Sequence, residues 1–272
     1  MTRAHHHRAL ACLALSLLVS RAFAADAAPS EKTSPLKERG VLRIVHPEGR
    51  EDDEFFGSGT RLGFDREILE GFARLHGLRV ELITVSSWEN LIPSLLEHKA
   101  DVAAGRFTIT PARRERVEFT SEVFPTRHVV LTRKPKPSLL TRDELRAAKI
   151  ATVKGSAVEE AILAAGVPRA QILYVQPLGA VAALKDGRAN AVVENVENAL
   201  RDSSEDAELQ LGMYLGPPRS LAYAVRKDDT VLLKELNSYI ETVRRTMWNR
   251  LVVKYFGERG LEILKTVRPQ SP

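Results

Sequence analysis

Short apolar runs alternate with helix-patterned stretches along most of this chain, and that alternation constrains the fold more than any other feature. Strands are predicted at 42–45, 79–85, 101–105, 128–134, 149–154, 172–175, 191–194 and 222–227. Between them lie helical patterns. Ile68, Leu69, Phe72 and Leu75 share one face of a predicted helix over 64–77, with Asp65 as its cap and Gly77 as its stop. Leu91, Ile92, Leu95 and Leu96 do the same over 87–99. Thr141-x-x-Glu144 and Ser156-x-x-Glu159 are capping boxes that open further helices. Helices are also expected at 179–185 and, in two pieces, over 232–256. Strands alternating with helices imply an α/β protein with largely parallel sheets. Only 6% of the residues are aromatic, so its core must be aliphatic.

The first 24 residues stand apart from this pattern. A basic front (Arg3, His5, His6, His7, Arg8) precedes a run of small and apolar residues over 9–20, and Ala22-Phe23-Ala24 has small residues where a peptidase would cut. This is the arrangement of a secretory signal peptide, cleaved near Ala24. The apolar run is too short to span a bilayer, so no membrane span is expected in the mature chain. Removing it takes three arginines and no acid, so the formal charge falls from +5 to +2. No dense Lys/Arg patch remains for nucleic acid. Cys12, the single cysteine, leaves too, which excludes disulfides, thiolate metal sites and a cysteine nucleophile. His46, His76, His98 and His128 are scattered, with no metal-ligand spacing. There is no Gly-x-Ser-x-Gly elbow and no phosphate loop, so neither metal nor cofactor is expected. The acid run Glu51, Asp52, Asp53, Glu54 reads as a solvated loop.

Two proline clusters, Lys134-Pro135-Lys136-Pro137-Ser138 and Pro217-Pro218, punctuate the chain and suggest a second lobe inserted into the first. Thr110-Pro111 is an N-cap followed by proline at the first helical position, so a helix starts there with Arg113 on its first turn. Ligands of open α/β sheets sit beyond the carboxyl ends of the strands. A guanidinium there would grip a carboxylate through paired hydrogen bonds; alternatively, Arg113 is a solvated arginine like Arg114 and Arg116. Gly155-Ser156-Ala157 opens another helix, whose free N–H groups suit an anion, although Ser156 also serves as that helix's cap. Trp88 either packs on a ligand or belongs to the core beside Leu91 and Leu95.

Five segments occur in order: Gly63-Phe64-Asp65-x-Glu67, Trp88-x-x-Leu91-Ile92-Pro93-x-Leu95, Asp101-Val102, Thr108-Ile109-Thr110-Pro111-x-Arg113 and Val117-Glu118-Phe119-Thr120. Together they resemble the periplasmic solute-binding proteins of polar amino-acid ABC importers, family 3. The likeness is closest to the solute-binding domain of membrane-bound lytic transglycosylases. Lys154-Gly155-Ser156-Ala157, 188–193 and Lys254-Tyr255-Phe256-Gly257 resemble later landmarks. The resemblance implies a two-lobed type II (Venus-flytrap) fold with two hinge crossovers. Lobe 1 would take residues 36–125 plus 222–268, and lobe 2 residues 126–221. It implies a periplasmic, monomeric, non-enzymatic receptor for a small carboxylate-bearing ligand, working with an inner-membrane permease. The ligand-carboxylate role falls on Arg113, with Thr108, Trp88 and 155–157 around it.

Two positions depart from the family pattern. Asn195, preceded by Glu194, stands where members that bind α-amino acids usually have an aspartate for the ammonium group. Arg106 stands where they usually have glycine. Both changes shift the expected ligand toward a more anionic one, such as a dicarboxylate, an acidic peptide or a wall-derived fragment, unless Glu194 replaces the missing aspartate. Two other functions compete. One is a cyclohexadienyl (prephenate) dehydratase on the same scaffold, with Glu194 or Glu197 as acid, although Asn198 does not supply the glutamate that subfamily has there. The other is an extracytoplasmic sensor domain acting with a partner. No catalytic domain follows before Pro272, so cell-wall cleavage by this chain is not expected.

Overall fold

In the computed structural model, residues 35–48, 54–57, 60 and 62–267 are described. The expected signal segment, Cys12 and the acids at 51–53 lie outside them. Helix α1 (Pro35–Arg39) leads into β1 (Val41–Pro47), α2 (Phe64–Leu75), β2 (Arg79–Val85), a 3-10 turn over Trp88–Asn90, α3 (Leu91–Leu96), β3 (Val102–Ala103), α4 (Pro111–Arg114) and β4 (Glu118–Phe119). The chain then passes to a second sheet through β5 (Phe124–Arg133), α5 (Arg142–Ala147), β6 (Ile150–Val153), α6 (Ala157–Ala164), β7 (Ile172–Val175), α7 (Gly179–Lys185), β8 (Ala191–Asn195), α8 (Val196–Glu205) and β9 (Leu209–Leu221). It returns through β10 (Ala224–Val225) and ends in α9 (Thr230–Thr246) and α10 (Trp248–Val267). The strand orders are β2-β1-β3-β10-β4 and β7-β6-β8-β5-β9, one sheet per lobe.

Both sheets are mixed, where largely parallel ones were expected. Strands joined through helices run parallel: β1 with β2 and β3, and β6 with β7 and β8. The strands that arrive from the other lobe, β5 and β10, run antiparallel to their neighbours. A right-handed helical crossover enforces parallel pairing only where a helix makes the connection. The proline clusters do not mark the crossings. Residues 134–138 lie in the turn after β5, and Pro217-Pro218 lie inside β9, whereas the chain changes sheets between β4 and β5 and between β9 and β10.

Strand β1 is buried on both faces, with Leu42 and Ile44 packed in one apolar cluster and Val45 in another, as expected for a strand covered on two sides. Ile68, Leu69 and Phe72 of α2 are buried as predicted, and Phe64 is buried with them. Leu75 and Leu96 are exposed instead; each is the last residue of its helix, past the end of the apolar cover. The largest cluster spans both lobes. Phe124, the first residue of β5, lies with its ring centroid 5.5 Å from Phe55, 5.6 Å from Phe64 and 4.9 Å from Phe256 of α10. Helix α10 therefore packs on β5 and α8 as well as on α2 and α9, and joins the two lobes behind the crossings. A Cβ on Gly63 would lie 2.3 Å from the backbone of Phe55 and Phe56, which explains glycine at that motif position.

Asp65 does not cap α2; Gly63 is the N-cap. The buried Asp65 carboxylate instead accepts N–H groups from Gly105 (3.2 Å) and Arg106 (3.1 Å) and the Tyr223 hydroxyl (3.3 Å). Gly105 and Arg106 both have left-handed backbone, φ 83° and 62°. That conformation costs a non-glycine residue about 1–2 kcal/mol, and the two bonds to Asp65 hold it. Asp101, also buried, accepts the Arg43 backbone N–H at 2.9 Å and pairs with Arg39 and Arg43. Replacing Phe124 by alanine should cost about 3–5 kcal/mol in urea unfolding, because it empties the centre of the cluster the lobes share.

Candidate functional site

A cavity of about 160 Å³ opens between the sheets, at the carboxyl ends of their parallel strands. Cavities near that size hold a benzene-sized group. From the first lobe Trp88, Arg106, Thr108 and Arg113 line it; from the second, Ser156, Ala157, Glu194 and Asn195. Of the residues expected to hold a ligand, Gly155 alone does not line it, and Glu197, the other candidate acid, does not line it either.

Arg113 is 6% exposed, which excludes the solvated alternative. Thr110 caps α4 by accepting the Arg113 N–H at 3.3 Å, and so sets the direction of the side chain. The guanidinium lies 4.3 Å from the centre of the Phe107 ring. It donates to the Thr108 carbonyl at 2.8 Å and, across the cleft, to the Gly155 carbonyl at 3.2 Å. Burial lowers its pKa to about 10, with Arg219 acting the same way and Glu160 opposing; it stays charged at neutral pH. Arg114, by contrast, is exposed and faces Glu118 at 3.5 Å.

Trp88 belongs to both of its expected environments. It lines the cavity, and its ring stacks on Phe107 at 6.4 Å and 17°. Arg106 reaches over the cleft, where its guanidinium donates to Asn198 Oδ1 at 3.1 Å. At the head of α6, Ser156 accepts the Glu159 N–H at 3.1 Å, as its capping motif predicted. The Glu159 carboxylate, however, takes the Gly155 N–H (2.7 Å) and the Tyr174 hydroxyl (2.5 Å). The first donor of this segment is thus used internally.

The sequence reading missed the contribution of α8. Asn198, Arg201 and Asp202 line the cavity with Glu48. Arg201 pairs with Asp202 at 3.1 Å and with Glu54 at 2.9 Å, and Glu54 also accepts from Arg259 of α10. The only signal was the spacing 194, 198, 201, 202, one strand end followed by one helix face. The positive charge that Arg106 adds is balanced by these acids. Glu194 Oε2 and Asn195 Oδ1 are buried without hydrogen-bond partners. Burial, reinforced by the Asp202 carboxylate, raises the Glu194 pKa well above the usual carboxylate range.

Behind the cavity, Glu197 is fully buried. Its Oε2 accepts the Thr126 hydroxyl at 2.6 Å and its Oε1 has no partner. Burial pushes its pKa up to about 7. His128 is buried with both ring nitrogens unpartnered, and burial followed by Arg219 and Arg113 lowers it to about 4. Among the described residues no group of three or more His, Cys, Asp or Glu is placed to hold a metal. Among the described residues no helix is long and apolar enough to cross a membrane.

The two lobes and the cleft between them define a bilobal fold of the solute-binding type. The profile of the bacterial extracellular solute-binding proteins, family 3, matches residues 44–258, and the chain belongs to that family. It is 25% identical to a probable histidine-binding protein of Neisseria gonorrhoeae over 94% of this chain and 97% of that one. It is 30% identical to a probable histidine-binding protein of Campylobacter jejuni over 54% of this chain, a match spanning 57% of the relative. It is 25% identical to membrane-bound lytic murein transglycosylase F of Pseudomonas fluorescens over 89% of this chain but 52% of that protein. The chain thus spans only about half the length of some of its relatives. Among solved structures it superposes on ArgBP from T. maritima (P235GK mutant) with a TM-score of 0.73, at 26% identity over 81% of this chain and 97% of that one. An ancestral amino acid-binding protein described as a precursor of cyclohexadienyl dehydratase gives the same TM-score at 25% identity over the same shares.

Glu197 provides a test of the buried site. The folded protein holds a proton on Glu197 that the unfolded chain releases in the ordinary carboxylate range. Its contribution to stability is therefore complete at low pH and is lost as pH rises through about 7. Glu197→Gln should remove that decline, seen as urea midpoints that fall less between pH 5 and pH 8 than in the parent. An unchanged difference would show that Glu197 ionises normally.

Proposed function

We propose that this chain is an extracytoplasmic receptor that closes on one small amino acid, serves an ABC-type permease in the inner membrane, and reaches the periplasm once residues 1–24 are cleaved. The observation that carries this reading is a charged donor facing unpartnered acceptors across one cavity. A buried guanidinium stands on the first lobe, and acceptor oxygens without partners, on Glu194 and Asn195, stand on the second. A zwitterion satisfies both walls: its carboxylate bonds to Arg113 and the Thr108 hydroxyl, and its ammonium donates to Glu194 and Asn195. Glu194, held protonated by burial and by the Asp202 carboxylate, gives its proton to solvent when the ammonium arrives and so supplies the counter-charge that Asn195 lacks. The ligand is accordingly an amino acid rather than the more anionic compound that Arg106 and Asn195 together suggested, since Glu48, Glu194 and Asp202 stand among the arginines of the lining. The lobes divide near residues 125 and 222, and those crossings are the hinge. Histidine and arginine, named for the relatives above, are the first compounds to try.

Titration calorimetry of the purified protein against histidine, arginine, glutamine and dicarboxylates tests the reading. One amino acid should bind near 1 μM, about −8 kcal/mol. Arg113→Ala should weaken that binding at least 100-fold, since each charge-assisted bond contributes about 1.5–3 kcal/mol. Binding of dicarboxylates alone, or an Arg113→Ala protein that binds as the parent does, would overturn it.

A further inference from the structure

The lobes touch one another outside the cavity, and the contact is built around a glycine. Gly155, in the turn between β6 and α6, has φ 72°, and a Cβ placed on it would lie 2.3 Å from Cγ of Glu89 and 3.4 Å from the Glu89 backbone nitrogen. Glu89 sits in the 3-10 turn of the first lobe; Gly155 belongs to the second. Neither lines the cavity. The same strip of the second lobe receives three more contacts from the first. Lys154 Nζ is 3.4 Å from Glu89 Oε1, the Arg113 guanidinium donates to the Gly155 carbonyl at 3.2 Å, and the Thr110 hydroxyl donates to Glu160 at 3.3 Å. From within its own lobe, the bond from the Gly155 N–H to Glu159 holds the turn in place.

We propose that Gly155 and Glu89 form a lobe-to-lobe seat that determines ligand affinity without touching the ligand. The exposed Lys154–Glu89 pair contributes little by itself. The seat works by shape: a glycine lets backbone approach backbone, and that approach brings the Gly155 carbonyl within reach of Arg113. Contacts that exist before any ligand enters raise the closed fraction of the free protein. Apparent affinity scales with that fraction. For its affinity readout this inference rests on the receptor reading above; for its shape readout it does not.

The experiment compares the parent with Gly155→Ala, Glu89→Ala and the double variant. Small-angle scattering without ligand follows closure, and calorimetry with whichever amino acid the parent binds follows affinity. The parent's scattering curve should match that of the structure in which the lobes touch. Gly155→Ala should shift it to a larger radius of gyration and weaken binding about tenfold or more. Adding Glu89→Ala should restore both, because the obstructing Cγ is gone. If the double variant stays open, backbone strain at 155 is responsible and the seat is refuted; if the free parent is already open, the seat does not form. Where Gly155→Ala fails to fold, Glu89→Trp puts the obstruction on an exposed side chain of the other lobe and should open the protein likewise. If no amino acid binds the parent, the scattering series still decides the seat while the receptor reading falls.

Discussion

A guanidinium removed from water must find oxygen, and the site is arranged around that requirement at Arg113. Its aromatic neighbour, Phe107, covers one face but accepts no conventional hydrogen bond. Two backbone carbonyls, one from each lobe, take two of its N–H groups. The charge persists because desolvation lowers its pKa only to about 10. One side chain thus connects the wall that would hold a ligand to the contact that holds the lobes together. Thr110 fixes its starting direction from below, and the Asp65 carboxylate holds the neighbouring loop in a backbone conformation that it would otherwise leave.

The same economy governs the rest of the molecule. The lobes are separate sheets, yet one apolar cluster runs through both, because Phe124 begins the strand that enters the second lobe and α10 packs over the crossing. Apolar packing is non-directional, so it joins the lobes without dictating the angle between them. The directional contacts, Arg106 to Asn198, Arg201 to Glu54 and Arg113 to Gly155, lie along the cleft instead. The Arg201–Glu54 pair is buried, a poor stabiliser but costly to break, which suits a contact that selects one relative placement of two bodies.

Much of the site was legible because its residues follow local rules. Thr110-Pro111 announces a helix start, so Arg113 could be placed on a first turn; Ser156-x-x-Glu159 announces another. What escaped was the part made by long-range approach. Asp65 reads as a cap from its position and acts forty residues away on Gly105. Glu159 reads as half of a capping box and spends its carboxylate on Gly155 and Tyr174. No helix is predicted over 196–205, where α8 forms, and nothing in the local pattern says that Asn198, Arg201 and Asp202 face a cavity. The prolines at 135 and 217 look like boundaries because proline interrupts ladders, yet Pro217 and Pro218 lie in β9, at the edge of its sheet, where a missing N–H is tolerated.

By itself the sequence determined the class of fold, the identity of most elements and the presence of an arginine at the head of a short helix, since periodicity and caps are properties of neighbours in the chain. The tertiary structure decided which sheet each strand joins, which acids balance the arginines and which oxygens are left without donors. Those outcomes depend on groups brought together from distant parts of the chain, where burial and charge act through space and sequence separation carries no information about distance.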